Sequence, residues 1–128
     1  QIEGQLALLR DSLNKKPIQK LALPSREGYT FVELAKVIHL NGDGSYTRFF
    51  LDQGGEILVS KRLGLYEKML AAEAFLRIHQ SHMVNLRHID RFINSKNGRL
   101  IMTNGQELPI ARNRKKEMMQ RLQVMGML

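Results

Sequence analysis

Turn-forming residues divide this chain into short apolar runs, and their spacing limits the folds it can adopt. The turn signals are Asn41-Gly42-Asp43-Gly44, Gln53-Gly54-Gly55, Asn97-Gly98 and Asn104-Gly105. Asn-Gly and related sequences favour the tight turns that join neighbouring antiparallel strands. Together with the breaks between the other short apolar runs, they give turns about every 8–12 residues, the spacing of small β domains. At 128 residues the chain has the size of a single domain.

The segments between these turns are rich in the β-branched, aromatic and aliphatic residues that favour strands. Helical spacing occurs only at the front, in the middle and at the end of the chain, with the middle helix predicted over 64–74 and the last over 113–125. We therefore predict a mostly-β domain with short helices. We expect seven to ten strands, drawn from the runs 21–23, 29–32, 37–40, 46–51, 56–60, 75–78, 83–86, 89–93, 99–102 and 107–109.

Residues 1–16 have the spacing of an amphipathic helix, with Ile2, Leu6, Leu9 and Leu13 on one stripe, and Pro17 ends it. Such a helix either packs on its own domain or is a linker from an upstream module that pairs with a second copy, and two heptads do not decide between these. The chain begins at Gln without a signal-peptide pattern, so we expect a piece of a longer protein. We divide it into a linker helix (1–17) and one domain (18–128).

The net charge of +8 is concentrated in the second part of the chain. Residues 77–128 hold ten Lys and Arg against three Asp and Glu, whereas residues 1–76 hold ten against nine. Arg112, Arg114, Lys115 and Lys116 surround the start of the last predicted helix. Cations oppose the helix dipole at that end, so their presence favours an anionic partner. Nucleic acid is the leading class, and acidic protein or lipid headgroups are the alternatives.

Enzymatic and metal chemistry find little support. The chain has no Cys, which excludes disulfides, thiolate metal sites and a cysteine nucleophile. His79, His82 and His88 are close in sequence, but an extended chain turns His79 and His82 to different faces, and no nearby Cys or Glu completes a ligand set. Ser81 and Asp90 lack any nucleophile-elbow context. We predict no enzyme activity, metal or cofactor, and no apolar run long enough to span a bilayer occurs.

A family resemblance appears at Phe75-Leu76-Arg77-Ile78-His79-Gln80-Ser81-His82-Met83-Val84-Asn85-Leu86, followed by Ile89. This run resembles the LytTR (LytR/AlgR-type) DNA-binding domain of bacterial response regulators. Gly44-Ser45-Tyr46-Thr47, a short helix at 63–70 and a Gly-x-x-Leu-Pro segment at 105–112 match the family in order. Gln80 stands where the family is often basic, and Ala111 where it usually has Ser. With Ala111 in place of Ser, the last helix lacks a possible N-cap, which would be worth roughly 1 kcal/mol.

The resemblance implies small antiparallel sheets with short helices, and DNA docking through loops instead of a recognition helix. Three loops would face the DNA: 41–46, the turn after the Arg77-Ile78-His79 strand, and the segment leading into the last helix. Arg pairs with guanine and Gln or Asn with adenine, whereas Lys suits phosphates. The predicted DNA-binding residues are Asn41, Ser45, Tyr46, His79, Gln80, Ser81, Arg112, Asn113, Arg114, Lys115 and Lys116.

We therefore predict sequence-specific binding of double-stranded promoter DNA, as the cytoplasmic output domain of a two-component response regulator or similar transcription regulator. Its partners would be two DNA half-sites, an upstream receiver or other regulatory domain, and a second copy on the DNA, without membrane contact. The alternative is a protein-interaction module of the same fold whose basic face binds an acidic partner.

Overall fold

The computed structural model describes residues 19–128, in which ten strands and two α-helices alternate with three short 3₁₀ turns. The linker helix predicted over 1–17 lies outside these residues, so the division at residue 17 stays a prediction. The strands are β1 (Lys20–Ser25), β2 (Gly28–Glu33), β3 (Val37–Asp43), β4 (Tyr46–Leu51), β5 (Glu56–Val59), β6 (Phe75–His79), β7 (His82–Asn85), β8 (Ile89–Ile93), β9 (Arg99–Met102) and β10 (Glu107–Pro109); the helices are α1 (Leu63–Met69) and α2 (Lys115–Val124).

The strands form three antiparallel sheets, which confirms the predicted mostly-β fold. A central sheet has the order β5-β4-β3-β7-β6, a second has β10-β9-β8, and β1 pairs with β2 alone. Because every pairing is antiparallel, tight turns suffice for most connections.

The central sheet packs on both faces. Neighbouring residues on a strand point to opposite faces, so Met83 and Val84 of β7 enter different cores. The core around Met83 joins the sheet to β1, β2 and α1, and includes Tyr66 of α1. The core around Val84 joins it to β8–β10 and α2, and includes Met118 of α2. Both helices are therefore attached by buried side chains to opposite faces of one sheet.

A buried polar side chain ties the start of β3 to the end of β7. Asn85 is 3% exposed and donates through Nδ2 to the carbonyls of Val37 (3.0 Å) and Leu34 (3.3 Å). Its Oδ1 accepts from the backbone N–H of Arg87 at 3.0 Å. With all these groups paired, Asn85 is a structural residue of the fold.

The first difference from the sequence prediction concerns the turn at Asn41-Gly42-Asp43-Gly44. Asn41, Gly42 and Asp43 belong to β3 and pair with Arg48, Thr47 and Tyr46, so only Gly44 and Ser45 form the turn. Gly44 has φ +57°, a conformation that suits glycine. Gly42 serves another purpose, because a Cβ there would lie 2.8 Å from the Cβ of Leu63, where α1 begins.

The second difference is the length of the middle helix, which ends at Met69 instead of Ala74. Leu70 is fully buried and caps the helix. Beyond it the backbone turns toward β6, and the carbonyl of Ala74 accepts from the N–H of Leu86 at 2.8 Å. Tertiary pairing therefore overrides the helix propensity of Ala71 and Ala72. β1 also extends through Pro24 and Ser25, two residues past its predicted end at Leu23, and Pro24 is tolerated because β1 lies at a sheet edge.

Candidate functional site

Two of the predicted loops meet at one end of the central sheet. The β3–β4 turn (Gly44-Ser45) and the β6–β7 turn (Gln80-Ser81) are neighbours because β3 pairs with β7, with Asn41 opposite His82. The N–H of Gly42 donates to the carbonyl of Ser81 at 2.9 Å. The register of one sheet therefore brings together residues that are some forty positions apart in sequence.

The third predicted segment joins the same end along β6. The N–H of Ala111 donates to the carbonyl of Ile78 at 2.8 Å, and Nη1 of Arg114 donates to the carbonyl of Arg77 at 3.3 Å. Arg112–Arg114 forms a 3₁₀ turn before α2, and Ala111 provides no side-chain cap. We call this region the loop end of the sheet; it consists of residues 41–46, 79–82 and 111–116.

The predicted contact residues differ in their accessibility at the loop end. Half-buried side chains belong to Asn41, His79, Ser81, Arg114 and Lys115. The exposed ones are free to meet a ligand; they are Ser45, Tyr46, Gln80, Arg112, Asn113 and Lys116.

The half-buried residues of the β6–β7 turn contact one another. The N–H of Ser81 donates to Nδ1 of His79 at 3.1 Å, which requires that nitrogen to be unprotonated. Nδ2 of Asn41 lies 3.3 Å from Nδ1 of His82, and the rings of His79 and His82 are 5.3 Å apart. Burial lowers the pKa of His82, and His79 adds to this shift. These contacts hold the turn and leave Gln80 at its tip.

The cations around the last helix do not form one uniform cluster. Nη1 of Arg114 lies 3.5 Å from Oε2 of Glu67. Nζ of Lys115 is 3.1 Å from Oδ1 of Asn94 and 5.4 Å from the ring centre of Phe92. Arg112 and Lys116 have no such partner within residues 19–128. Two of the four cations are therefore held by the protein, and two remain available to an anion.

The predicted set did not include several residues at this end. Lys61 and Arg62 follow β5, and both are exposed without an ion pair among the described residues. Oγ1 of Thr47 donates to the carbonyl of Lys61 at 2.7 Å, which attaches them beside the start of β4. Because the first part of the chain is nearly neutral, charge counting gave no reason to select them. Glu67 gave no sequence signal either, since its role depends on the arginines that the fold brings to it.

Arg77 was counted among the basic residues but was not predicted to belong to the site. Its Nη1 donates to Oε1 of Glu67 at 3.0 Å, its Nε donates to the carbonyl of His79 at 3.4 Å, and its Nη2 donates to the carbonyl of Gln80. Only 19% of the side chain is exposed. The guanidinium therefore supports the β6–β7 turn from inside.

Two further findings concern membrane and metal binding. Among the helices of residues 19–128, none is long and apolar enough to cross a membrane. In the same part of the chain, no three His, Asp or Glu side chains are grouped so that they could hold a metal ion.

Comparison with known proteins identifies related chains. A LytTr DNA-binding domain model matches residues 27–123. The CO-responsive transcriptional regulator RcoM of Rhodospirillum rubrum is 33% identical over 98 residues, which are 74% of this chain and 41% of RcoM. The sensory transduction protein LytT of Bacillus cereus is 29% identical over 111 residues, 84% of this chain and 44% of LytT. The chain thus spans less than half the length of these curated relatives.

A solved structure has the same fold. It is the LytTr DNA-binding domain of a putative methyl-accepting/DNA response regulator from Bacillus cereus, with a TM-score of 0.70 and 22% sequence identity. The match covers 82% of this chain and 97% of that domain. Because the family model matches most of the chain, including the three segments of the loop end, this chain belongs to the LytTR family of DNA-binding domains.

Proposed function

We propose that this chain binds double-stranded DNA in a sequence-specific manner, with the loop end of the central sheet facing the grooves. The observation that carries the proposal is the grouping of exposed Gln80 and Arg112 on adjacent segments of one surface. Around them lie Lys61, Arg62 and Lys116, which have no ion-pair partner among residues 19–128. This surface offers side chains that read bases together with cations that bind phosphates.

The exposed side chains divide into two chemical groups. The fork of Arg112 suits the two acceptors of guanine in the major groove, and the amide of Gln80 suits adenine. Ser45 and Asn113 carry polar groups that can bond to either base edges or phosphates. Lys61, Arg62 and Lys116 supply charge, which strengthens binding to any duplex and makes it salt-dependent. Of the predicted contacts, Arg114 and Lys115 are weaker candidates because protein groups already hold them.

The biological setting extends the proposal. Family membership and the regulatory relatives support an output domain of a cytoplasmic response regulator or similar transcription regulator. An upstream receiver or other regulatory domain would then control a dimer that binds two promoter half-sites. The family's role as a DNA-binding domain also supports the prediction that this chain is not an enzyme.

The test is selection of duplexes from a random-sequence pool by the 128-residue chain. We expect a consensus to emerge, and the selected duplex to bind at least a hundredfold more tightly than a shuffled duplex at physiological salt. Failure to enrich any sequence, with salt-dependent binding to acidic polypeptides, would favour the protein-interaction module instead.

A matched pair of variants assigns the surface. Arg112 lies at the loop end, whereas Arg87 follows β7 at the opposite end of the same sheet, and both are exposed. Arg112→Ala and Arg87→Ala change the net charge equally. We expect only Arg112→Ala to weaken binding to the selected duplex substantially, and equal effects would place the DNA elsewhere.

A further inference from the structure

One carboxylate joins the two segments that carry the proposed base-reading residues. Glu67 lies on α1, with Oε1 3.0 Å from Nη1 of Arg77 and Oε2 3.5 Å from Nη1 of Arg114. The three side chains are 40%, 19% and 31% exposed respectively. Each oxygen of Glu67 therefore holds a different guanidinium, and the two arginines belong to different elements.

Arg77 connects Glu67 to the turn that carries Gln80. Its guanidinium donates to the carbonyls of both His79 and Gln80, while its remaining nitrogen binds Glu67. A planar fork that contacts two successive carbonyls sets the orientation of the backbone between them. Glu67 in turn orients the fork. The direction in which Gln80 leaves the turn thus depends on this chain of contacts.

Arg114 connects Glu67 to the segment that carries Arg112. Besides Glu67, its Nη1 contacts the carbonyl of Arg77 at 3.3 Å. The N–H of Ala111 donates to Ile78 of the same strand at 2.8 Å. Ala111 and Arg114 flank Arg112 and Asn113, so both sides of the exposed pair are attached to β6.

The packing of α1 does not depend on this ion-pair cluster. Leu63, Tyr66 and Leu70 are each at most 3% exposed and anchor the helix in the core. An amide at position 67 can still accept from one arginine, but the negative charge between the two guanidiniums is lost. The guanidiniums then repel each other, and the cluster loses the arrangement that one carboxylate imposes.

We propose that Glu67 is a positioning residue that sets the Gln80 and Arg112 segments relative to each other, and thereby controls sequence discrimination. This inference rests on the proposed function. It predicts that removing the charge of Glu67 changes two affinities in opposite directions, one for DNA of any sequence and one for the selected sequence. Removing a negative charge near the DNA strengthens binding to any duplex, whereas loosening the reading residues weakens binding to the correct sequence.

Glu67→Gln tests the inference, because the amide keeps the shape of the side chain and removes its charge. The variant and the wild-type 128-residue chain are titrated with the selected duplex and with a shuffled duplex of equal length. We expect affinity for the shuffled duplex to rise about two- to fivefold, and the ratio of the two affinities to fall at least tenfold.

The matched control is Glu56→Gln. Glu56 begins β5 at the opposite end of the sheet, and its Oε2 pairs with Nη1 of Arg48 at 3.1 Å. The control removes the same charge and releases Arg48, which lies opposite Asn41 beside the loop end, but it leaves the contacts of Arg77 and Arg114 with Glu67 intact. Its affinity ratio should match that of the wild type.

A second variant separates geometry from charge. Arg77→Lys keeps the net charge but replaces the fork by a single ammonium, which cannot hold Glu67 and both carbonyls in the same arrangement. Affinity for the shuffled duplex should stay within twofold, and affinity for the selected duplex should fall about tenfold or more. Amide hydrogen exchange at Gln80 and Ser81 should also become faster in both loop-end variants.

The outcomes are distinct. If Glu67→Gln raises both affinities equally, Glu67 acts by charge alone and the inference is wrong. If both affinities fall together with the melting temperature, Glu67 is a general stabilising residue and the inference is also wrong. A wild-type chain that does not discriminate between duplexes overturns the proposed function and this inference together, whereas a discriminating wild type with an unchanged ratio in Glu67→Gln overturns this inference alone.

Discussion

The imidazole of His39 lies flat on the ring of Phe50, with the ring centroids 4.1 Å apart and the planes 15° from parallel. His39 is 1% exposed, and within residues 19–128 neither ring nitrogen has a hydrogen-bond partner. Burial lowers the pKa of His39 to about 4; the nearby side chain of Gln106 opposes this shift and His82 adds to it. The folded protein therefore keeps this ring neutral in the core.

We expect the free energy of unfolding to decrease as the pH falls below about 6.5. Between that pH and about 4 the unfolded chain binds a proton at position 39 that the folded chain does not bind. The resulting loss approaches 1.4 kcal/mol per pH unit and about 3 kcal/mol in total, with a further contribution of the same sign from His82. Urea unfolding at pH 7.5, 6.5 and 5.5 measures it.

His39→Leu is the matched variant, because it removes the titrating ring and places an apolar side chain in an apolar site. Its stability should depend much less on pH over the same range. At pH 7.5 the change should be small, since neither ring nitrogen has a hydrogen-bond partner among residues 19–128. If the free energy of unfolding of His39→Leu falls with pH as steeply as that of the wild type, other groups cause the acid sensitivity.

Arg112 is expected to read a guanine. Arg112→Ala should cost about 1–3 kcal/mol on the selected duplex and relax the preference at one base pair, while the shuffled duplex loses much less. Arg112→Lys should recover only part of the loss, because an ammonium cannot form the two parallel hydrogen bonds of the guanidinium. Titrations against single-base variants of the selected duplex measure this. Equal losses on selected and shuffled DNA would reduce Arg112 to a phosphate contact.

Lys61 and Lys116 are expected to contact phosphates. Lys61→Ala and Lys116→Ala should each weaken binding to selected and shuffled duplexes alike, and lower the slope of log affinity against log salt by about one. Lys115→Ala should have a smaller effect, because its ammonium already contacts Asn94 and Phe92. Arg87→Ala is the control and should leave the slope unchanged. A shift in base preference without a change of slope would contradict the phosphate role.

Gly42 is expected to be required for packing. In Gly42→Ala the new Cβ would lie 2.8 Å from the Cβ of Leu63, so β3 and α1 must move apart. We expect a loss of stability of about 1–3 kcal/mol, as for other overpacked sites. Gly55→Ala provides the control, because its nearest atom would be 3.9 Å away. Thermal unfolding compares the two, and equal melting temperatures would mean that the contact adapts without cost.

The case of Gly42 illustrates which features the sequence predicted and which it did not. The strands and the two helices were predicted near their observed positions, because strand composition and Asn-Gly turns act locally. The extent of the 41–44 turn was predicted wrongly, since a glycine needed for a close helix contact resembles a turn glycine in sequence. The middle helix was predicted too long because its end depends on the pairing of Ala74 with Leu86.

The candidate site was predictable only in part, for a similar reason. Family motifs and the basic segment led to Gln80, Arg112 and Lys116, which are exposed at the loop end. The sequence could not reveal that Arg114 is paired with Glu67, or that the carbonyl of Lys61 accepts from Thr47, because these contacts arise from the packing of α1 and from the register of β4 with β5. Motifs thus identify residue types, and the fold determines which of them remain free.

Gln80 is expected to read an adenine, although it stands where the family is often basic. Its side chain is exposed at the tip of the β6–β7 turn, while its carbonyl is held by Arg77. If the amide reads an adenine, Gln80→Ala should lose about 1–3 kcal/mol on the selected duplex and almost nothing on the shuffled duplex, because no charge changes. Gln80→Lys should shift the preference at that base pair toward guanine and strengthen binding to all duplexes.

Gln53 supplies the control for both changes, since it is exposed in the β4–β5 turn at the opposite end of the sheet. Gln53→Lys adds the same charge and should leave base preference unchanged. Repeating the random-pool selection with Gln80→Lys and Gln53→Lys compares the two consensus sequences directly. A consensus that is identical for both variants and the wild type would remove Gln80 from the reading residues and leave discrimination to Arg112, Asn113 and the β3–β4 turn.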